Sequence, residues 1–155
     1  MKAVKVTAAL VLALSSAFAM AGEIKDSTIE ASNLKNAATG TGSKAHQWVG
    51  VAQDNGKISD TQVNAKNAKN TASGTNSHAD QYIGAVSGNG EIKDSYIHAN
   101  EARNTASGTN SYARQEIGVA RGNGKLKDVT VHANNASNEA SGNNSDARQR
   151  VGYAD

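Results

Sequence analysis

Gly90–Asn123 reads GEIKDSYIHANEARNTASGTNSYARQEIGVARGN, and copies of this pattern begin at Gly22, Gly56, Gly90 and Gly124, 34 residues apart. Ten positions hold one residue in all four copies, and in this copy they are Gly90, Asp94, Ala99, Asn104, Ala106, Gly108, Ser111, Ala113, Gln115 and Gly118. A fixed period of this length is the signature of a repeat architecture, in which each unit stacks on the next. The same period suits helix pairs of the tetratricopeptide kind, but that family's Trp-Leu-Gly-Tyr spacing is missing. Glycine-bearing breaks at Ser107–Asn110 and Gly122–Gly124 instead cut the unit into short segments.

Inside the segments the alternation has period two. Ser111, Ala113, Gln115, Ile117 and Val119 share one face, and Tyr112, Arg114 and Glu116 share the other. Ser77, Ala79, Gln81 and Ile83 repeat this against His78, Asp80 and Tyr82. Such alternation predicts a half-buried strand. The first segment shifts phase by one residue between Ile97, Ala99 and Ala102, Asn104, Ala106, which predicts a bulge or corner near Asn100 and Glu101. Helix remains a competing reading for Ser95–Ala106, because Ala, Glu and Arg favour it. The expected fold is all-β: a β-solenoid of strand–turn–strand coils built from four 34-residue repeats, 22–55, 56–89, 90–123 and 124–155.

Stacking sets residue n over residue n+34. Asn36, Asn70, Asn104 and Asn138 then form one amide ladder, and Gln47, Gln81, Gln115 and Gln149 a second. A buried amide is costly unless paired, and stacked amides pair with one another. Glu23, Lys57, Glu91 and Lys125 alternate in sign, so a slipped register would set like charges together. Glu116 over Arg150 has the same sense. Asp26, Asp60, Asp94 and Asp128 would stack as well. Their offset from glycine differs from that of calcium-binding glycine-rich repeats, so turn capping by each Asp is the expected role.

Met1–Ala21 has the form of a secretory signal: Lys2 and Lys5, an apolar stretch over Val6–Ala19, and the small-x-small triplet Ala19-Met20-Ala21. A cut after Ala21 leaves Gly22 first, where the repeats begin. Whole-chain charge is 16 Lys+Arg against 14 Asp+Glu. Removing Lys2 and Lys5 balances it at 14 against 14, which gives no support to a nucleic-acid partner. Cysteine and proline are absent, and the one Phe lies in the leader with most of the Leu. Order must come from backbone pairing and ladders of like side chains.

No residue set suggests chemistry. Ser, His and Asp recur in every copy with no single cluster joining a nucleophile to its base, so an enzyme is not expected. Of His46, His78, His98 and His132 only the last two share a phase, short of the usual zinc set, so neither metal nor cofactor is expected. Lys35, Lys69 and Arg103 form a basic stripe that reads as a solvated face, with acidic polysaccharide as the alternative ligand. An ice-binding face would need repeated threonine. Thr71, Thr105 and Thr75, Thr109 give way to Glu139 and Asn143 in the fourth copy.

The half-unit Asn110–Gly118, with Ser111, Gln115 and Gly118 and the closing Gly122-Asn123-Gly124, resembles the repeats of curli and related bacterial functional amyloids. The alternation also resembles the head repeats of trimeric autotransporter adhesins. The curli unit is shorter, and its Gln and Gly lie one residue closer. The first resemblance implies a secreted, self-assembling fibre or biofilm-matrix subunit at the cell surface. The expected partners are further copies of the chain, an outer-membrane secretion channel and cell-surface polysaccharide. A monomeric β-solenoid adhesin binding polysaccharide, ice or metal is the alternative.

Overall fold

The computed structural model describes residues 5–8 and 19–154. The leader expected at Met1–Ala21 lies for the most part outside them. The described chain is a β-solenoid of four coils. Every sheet is parallel, and the strands of the repeats pair with their equivalents 34 residues away, whereas Lys5–Ala8 and Ala19–Ala21 lie outside this period, with Lys5 beside Thr28 and Ala19 beside Val51. One sheet stacks β3 (Thr28–Ser32), β7 (Gln62–Lys66), β11 (Tyr96–Asn100) and β15 (Thr130–Asn134), with β1 (Lys5–Ala8) on the outer edge of β3. A second stacks β4 (Lys35–Thr39), β8 (Lys69–Ser73), β12 (Arg103–Ser107) and β16 (Ser137–Ser141). A third stacks β5 (Lys44–Val49), β9 (His78–Ala85), β13 (Tyr112–Ala120) and β17 (Asp146–Ala154). The fourth stacks β2 (Ala19–Lys25), β6 (Val51–Ser59), β10 (Glu91–Lys93) and β14 (Lys125–Lys127).

Each coil therefore has four strands where the sequence pattern suggests two. The extra corners come from residues in the left-handed region. Asp94 has φ 46° and Glu101 has φ 55°, and the same phases hold φ between 49° and 56° in the other copies. Asp and Asn enter this region more readily than other non-glycine residues. Glu101 is the corner that the phase shift marks, and it removes the helical reading of Ser95–Ala106. The Asp phase, expected to cap a turn by accepting from backbone N–H groups, turns the backbone itself. Among the described residues no side-chain hydrogen bond joins these carboxylates to it.

Corners keep the ladder running. Gly74 N–H donates to Ser107 O at 2.9 Å, and Gly108 N–H to Ser141 O at 2.9 Å. This stacking demands glycine at Gly108, which has φ 124° and whose missing Cβ would fall on the carbonyl of Gly74 one coil back. Gly84 and Gly118 turn the third side inward at φ 66° each. A Cβ on Gly84 would meet Ile97 Cδ1 at 2.8 Å.

The interior has two parts. Ile58, Ile83, Ile92, Ile97 and Ile117 line a larger column with Val63, Val86 and the small Ala99 and Ala102. Ala72, Ala79, Ala106 and Ala113 fill a thinner one where the second and third sheets approach. Alanine here sets how closely the two sheets can lie. This chain thus builds a core without the usual supply of Leu and Phe, because each position needs to match only its own copy in the next coil.

Candidate functional site

The functional surfaces follow from the stacking. Asn70 donates from Nδ2 to Asn104 Oδ1 at 2.9 Å, and Asn104 donates to Asn138 Oδ1 at 2.8 Å. Asn36 donates to Asn70 Oδ1 at 3.1 Å, so the ladder has one polarity from first coil to fourth. The same amides tie sheet to sheet. Asn104 Nδ2 also reaches Ala79 O and Arg114 O, each at 3.0 Å, on the facing third sheet. A fully buried amide is thereby satisfied while it bridges two sheets.

The glutamine ladder is less uniform. Gln47 Nε2 donates to Gln81 Oε1 at 3.1 Å, and Gln149 Nε2 to Gln115 Oε1 at 2.8 Å, so the two ends run in opposite senses. Gln115 Nε2 donates to Ala102 O at 2.9 Å, while Gln81 Nε2 and Gln47 Oε1 are buried without a partner. Serine adds a third buried line, with Ser77 and Ser111 hydroxyls 2.8 Å apart.

Glu23, Lys57, Glu91 and Lys125 stand in direct register. Among the described residues none of these neighbours closes to an ion pair, so the column acts through alternating sign at a coil's distance. Such exposed charges contribute roughly 0–1 kcal/mol per pair. Lys35, Lys69 and Arg103 are also in register and exposed, as a solvated stripe would be.

The third sheet's outer face corrects the sequence reading. Glu116 belongs to the phase expected to face solvent, yet it is fully buried. Arg114 Nη2 contacts Glu116 Oε1 at 2.6 Å, Arg150 Nη1 lies 3.7 Å from the same oxygen, and Arg121 Nη2 takes Oε2. Arg121 also lies over the Tyr82 ring, 4.4 Å from its centroid. Burial raises the pKa of the Tyr82 phenol. Although burial alone would lower it, the Arg121 pKa is raised, by its bonds to Tyr82 and Glu116. The sequence signal is present in part, since Arg150 is the repeat partner of Glu116. Arg121 belongs to the glycine-bearing loop, whose course cannot be read from periodicity.

Histidines gather on the same face. His46 Nδ1 lies 3.2 Å from Asp80 Oδ2 and His78 Nε2 lies 3.1 Å from Asp80 Oδ1, so one carboxylate occupies both rings. His98 and His132 stack on the first sheet with centroids 6.4 Å apart. Among the described residues no three His, Cys, Asp or Glu side chains converge as a metal site, and no helix is long and apolar enough to cross a membrane. Asp60, Asp94 and Asp128 line an open groove along one corner, and Lys93 Nζ sits 3.0 Å from Asp94 Oδ2. We expect EDTA to leave the melting temperature of the unassembled protein unchanged. A fall of several degrees by calorimetry would identify the Asp column as a metal site.

Comparison with protein-family models, curated proteins and solved structures finds no match to this chain.

Proposed function

We propose that the protein is an exported structural subunit that stacks head to tail into an extracellular fibre or biofilm matrix of the functional-amyloid kind. One observation carries the reading. Ile83 and Ile117 are 0% exposed, whereas Val151, at the same phase in the fourth coil, is 47% exposed. Among the described residues the fourth coil leaves its cross-section uncovered, and a surface that complements it is another coil of the same sequence.

Continuing the period by 34 residues sets the fourth coil of one copy against the first coil of the next. Val151 then meets Val49, Leu126 meets Ile24 and Val131 meets Ile29. Lys125 meets Glu23, and Asp146 meets Lys44. The Asn138 amide reaches Asn36 Oδ1 in the polarity that the ladder already has. Lys127 over Lys25 and Asp128 over Asp26 are like-charge pairs opposing the join, and Lys93 over Lys127 and Asp94 over Asp128 within the chain are of the same kind. In the whole chain β1 lies along β3. Cleavage of the expected leader after Ala21 would remove β1 and free that edge, which couples export to assembly.

The second reading, a monomeric adhesin, draws on the third sheet's outer face. Trp48 packs edge-on against Tyr82 at 5.3 Å, and Arg148 lies 5.8 Å from the Tyr112 centroid. Aromatic rings beside guanidinium groups suit an acidic polysaccharide.

Val151→Asp separates the two. The side chain is half exposed in a single copy, so folding should survive, but a carboxylate buried in the junction should block stacking. At tens of micromolar (roughly where exposed strand edges associate) leader-free wild type should sediment as polymer and the leader-free variant as monomer. Equal polymerisation of both would exclude the fourth coil as the joining surface. A monomeric wild type would favour the adhesin.

A further inference from the structure

We infer that each head-to-tail junction forms a site for a divalent transition-metal ion of the zinc class, made by His98 and His132 of one copy and Glu30 of the next. The inference rests on the stacking proposed above. On the outer side of the first sheet, Glu30, Asn64, His98 and His132 occupy one column in successive coils. Within a chain Asn64 separates the carboxylate from the histidines, so three ligands are never adjacent. Across a junction the order becomes His98, His132, Glu30, and the set is complete only when a second copy is added.

The reach is sufficient. Parallel strands lie about 4.8 Å apart, so the outer two backbones of the three stand about 9.6 Å apart. An ion bound at about 2.0–2.1 Å by imidazole and about 2.0–2.2 Å by carboxylate can bridge this from the middle coil, with water completing four-coordination. His98 Nε2 already faces the fourth coil, 3.4 Å from Asn134 Nδ2. His132 is exposed and its ring lies 5.4 Å from that of Tyr96, which flanks the column on one side. Glu30, Asn64 and His98 line one groove along this face, and the join would extend it. The columns on either side bring Thr130 and Asn134 against Thr28 and Ser32. All four are uncharged, and Lys66, which lines the same groove, stands one coil beyond Glu30 beside Ser32. Neutral imidazoles and one carboxylate are the ligand types zinc takes.

The ion would latch the junction, because it binds the joined state and not the separate copies. The test uses protein expressed from the whole chain and recovered after export, its start at Gly22 checked by mass spectrometry, and titrated with Zn2+ alone. Bound metal is counted in pelleted polymer and in the monomeric Val151→Asp form. The expected result is one Zn2+ per subunit in polymer and none retained by the monomer. His132→Ala and Glu30→Gln should still polymerise and lose the metal. Both positions are solvent-facing, so their folding should be unaffected. If wild type does not polymerise, the stacking reading fails and this inference falls with it. Polymer that takes no zinc, or takes as much with His132→Ala or Glu30→Gln, overturns the metal site and leaves stacking intact. Equal retention by the monomer overturns it as well, since two histidines of one chain would then suffice.

Discussion

Gly108→Val should lose about 2–6 kcal/mol of stability, while Gly42→Asn should fold at least as well as wild type. The two glycines lie in equivalent turns but face different constraints. Gly108 has φ 124°, and any Cβ there would fall on the Gly74 carbonyl. A residue held in such a region costs of order 1–3 kcal/mol, and overpacking typically adds roughly another 1–3 kcal/mol. Neither cost can be relieved by a side-chain rotation, because the obstacle is backbone of the neighbouring coil. Gly42 has φ 70°, a Cβ added there would meet nothing within 4 Å, and its equivalents are Asn76, Asn110 and Asn144 at φ 55–57°. Asn110 Nδ2 already donates to Asn76 Oδ1 at 3.1 Å, so asparagine at position 42 would lengthen an existing exposed ladder. Denaturant midpoints for the two variants check this. A Gly108→Val protein of near wild-type stability would mean that the coils do not stack this closely.

Glu116→Gln should be the most damaging change on the outer surface, at about 3 kcal/mol. The carboxylate is fully buried and receives Arg114, Arg121 and Arg150. Removing its charge leaves three guanidinium groups facing one another across a neutral amide. A loss of this size corresponds to a fall of about 6–12 °C in melting temperature for a chain of this length. Raising the salt concentration should recover part of it by screening the arginines. Glu91→Gln, at a half-exposed site in the alternating column where the carboxylate closes no ion pair among the described residues, should cost far less. Equal effects at the two sites by thermal unfolding would show that the arginine cluster contributes no more than an ordinary surface pair.

Much of this architecture is legible in the sequence, because a solenoid turns a one-dimensional period into a three-dimensional register. The Asn104 and Gln115 ladders, the alanine column and the turn at Gly108 all follow once residue n is set over residue n+34. What periodicity cannot supply is the path within one coil. Asp94 and Glu101 turn the chain with positive φ, and neither residue type announces this as glycine does. The alternation therefore suggests a two-strand unit where four strands exist. The buried Glu116 is hidden for a related reason: its cover comes from the Arg121 loop, and alternation alone assigns that phase to solvent. The unequal sense of the glutamine ladder is likewise invisible in a column of identical letters.

The histidine column shows a further limit of reading one chain alone. His98 and His132 look like two solvated side chains until the period is carried across a junction, where Glu30 becomes their neighbour. Function in this protein, as proposed, depends on that continuation. Fibre diffraction from aligned, assembled protein, with electron microscopy of the same sample, tests it most directly. Unbranched filaments are expected, with a meridional reflection at about 4.7–4.8 Å, the coil spacing continued without a break from copy to copy. Protein that stays monomeric by light scattering for days, or filaments lacking that reflection, would contradict it.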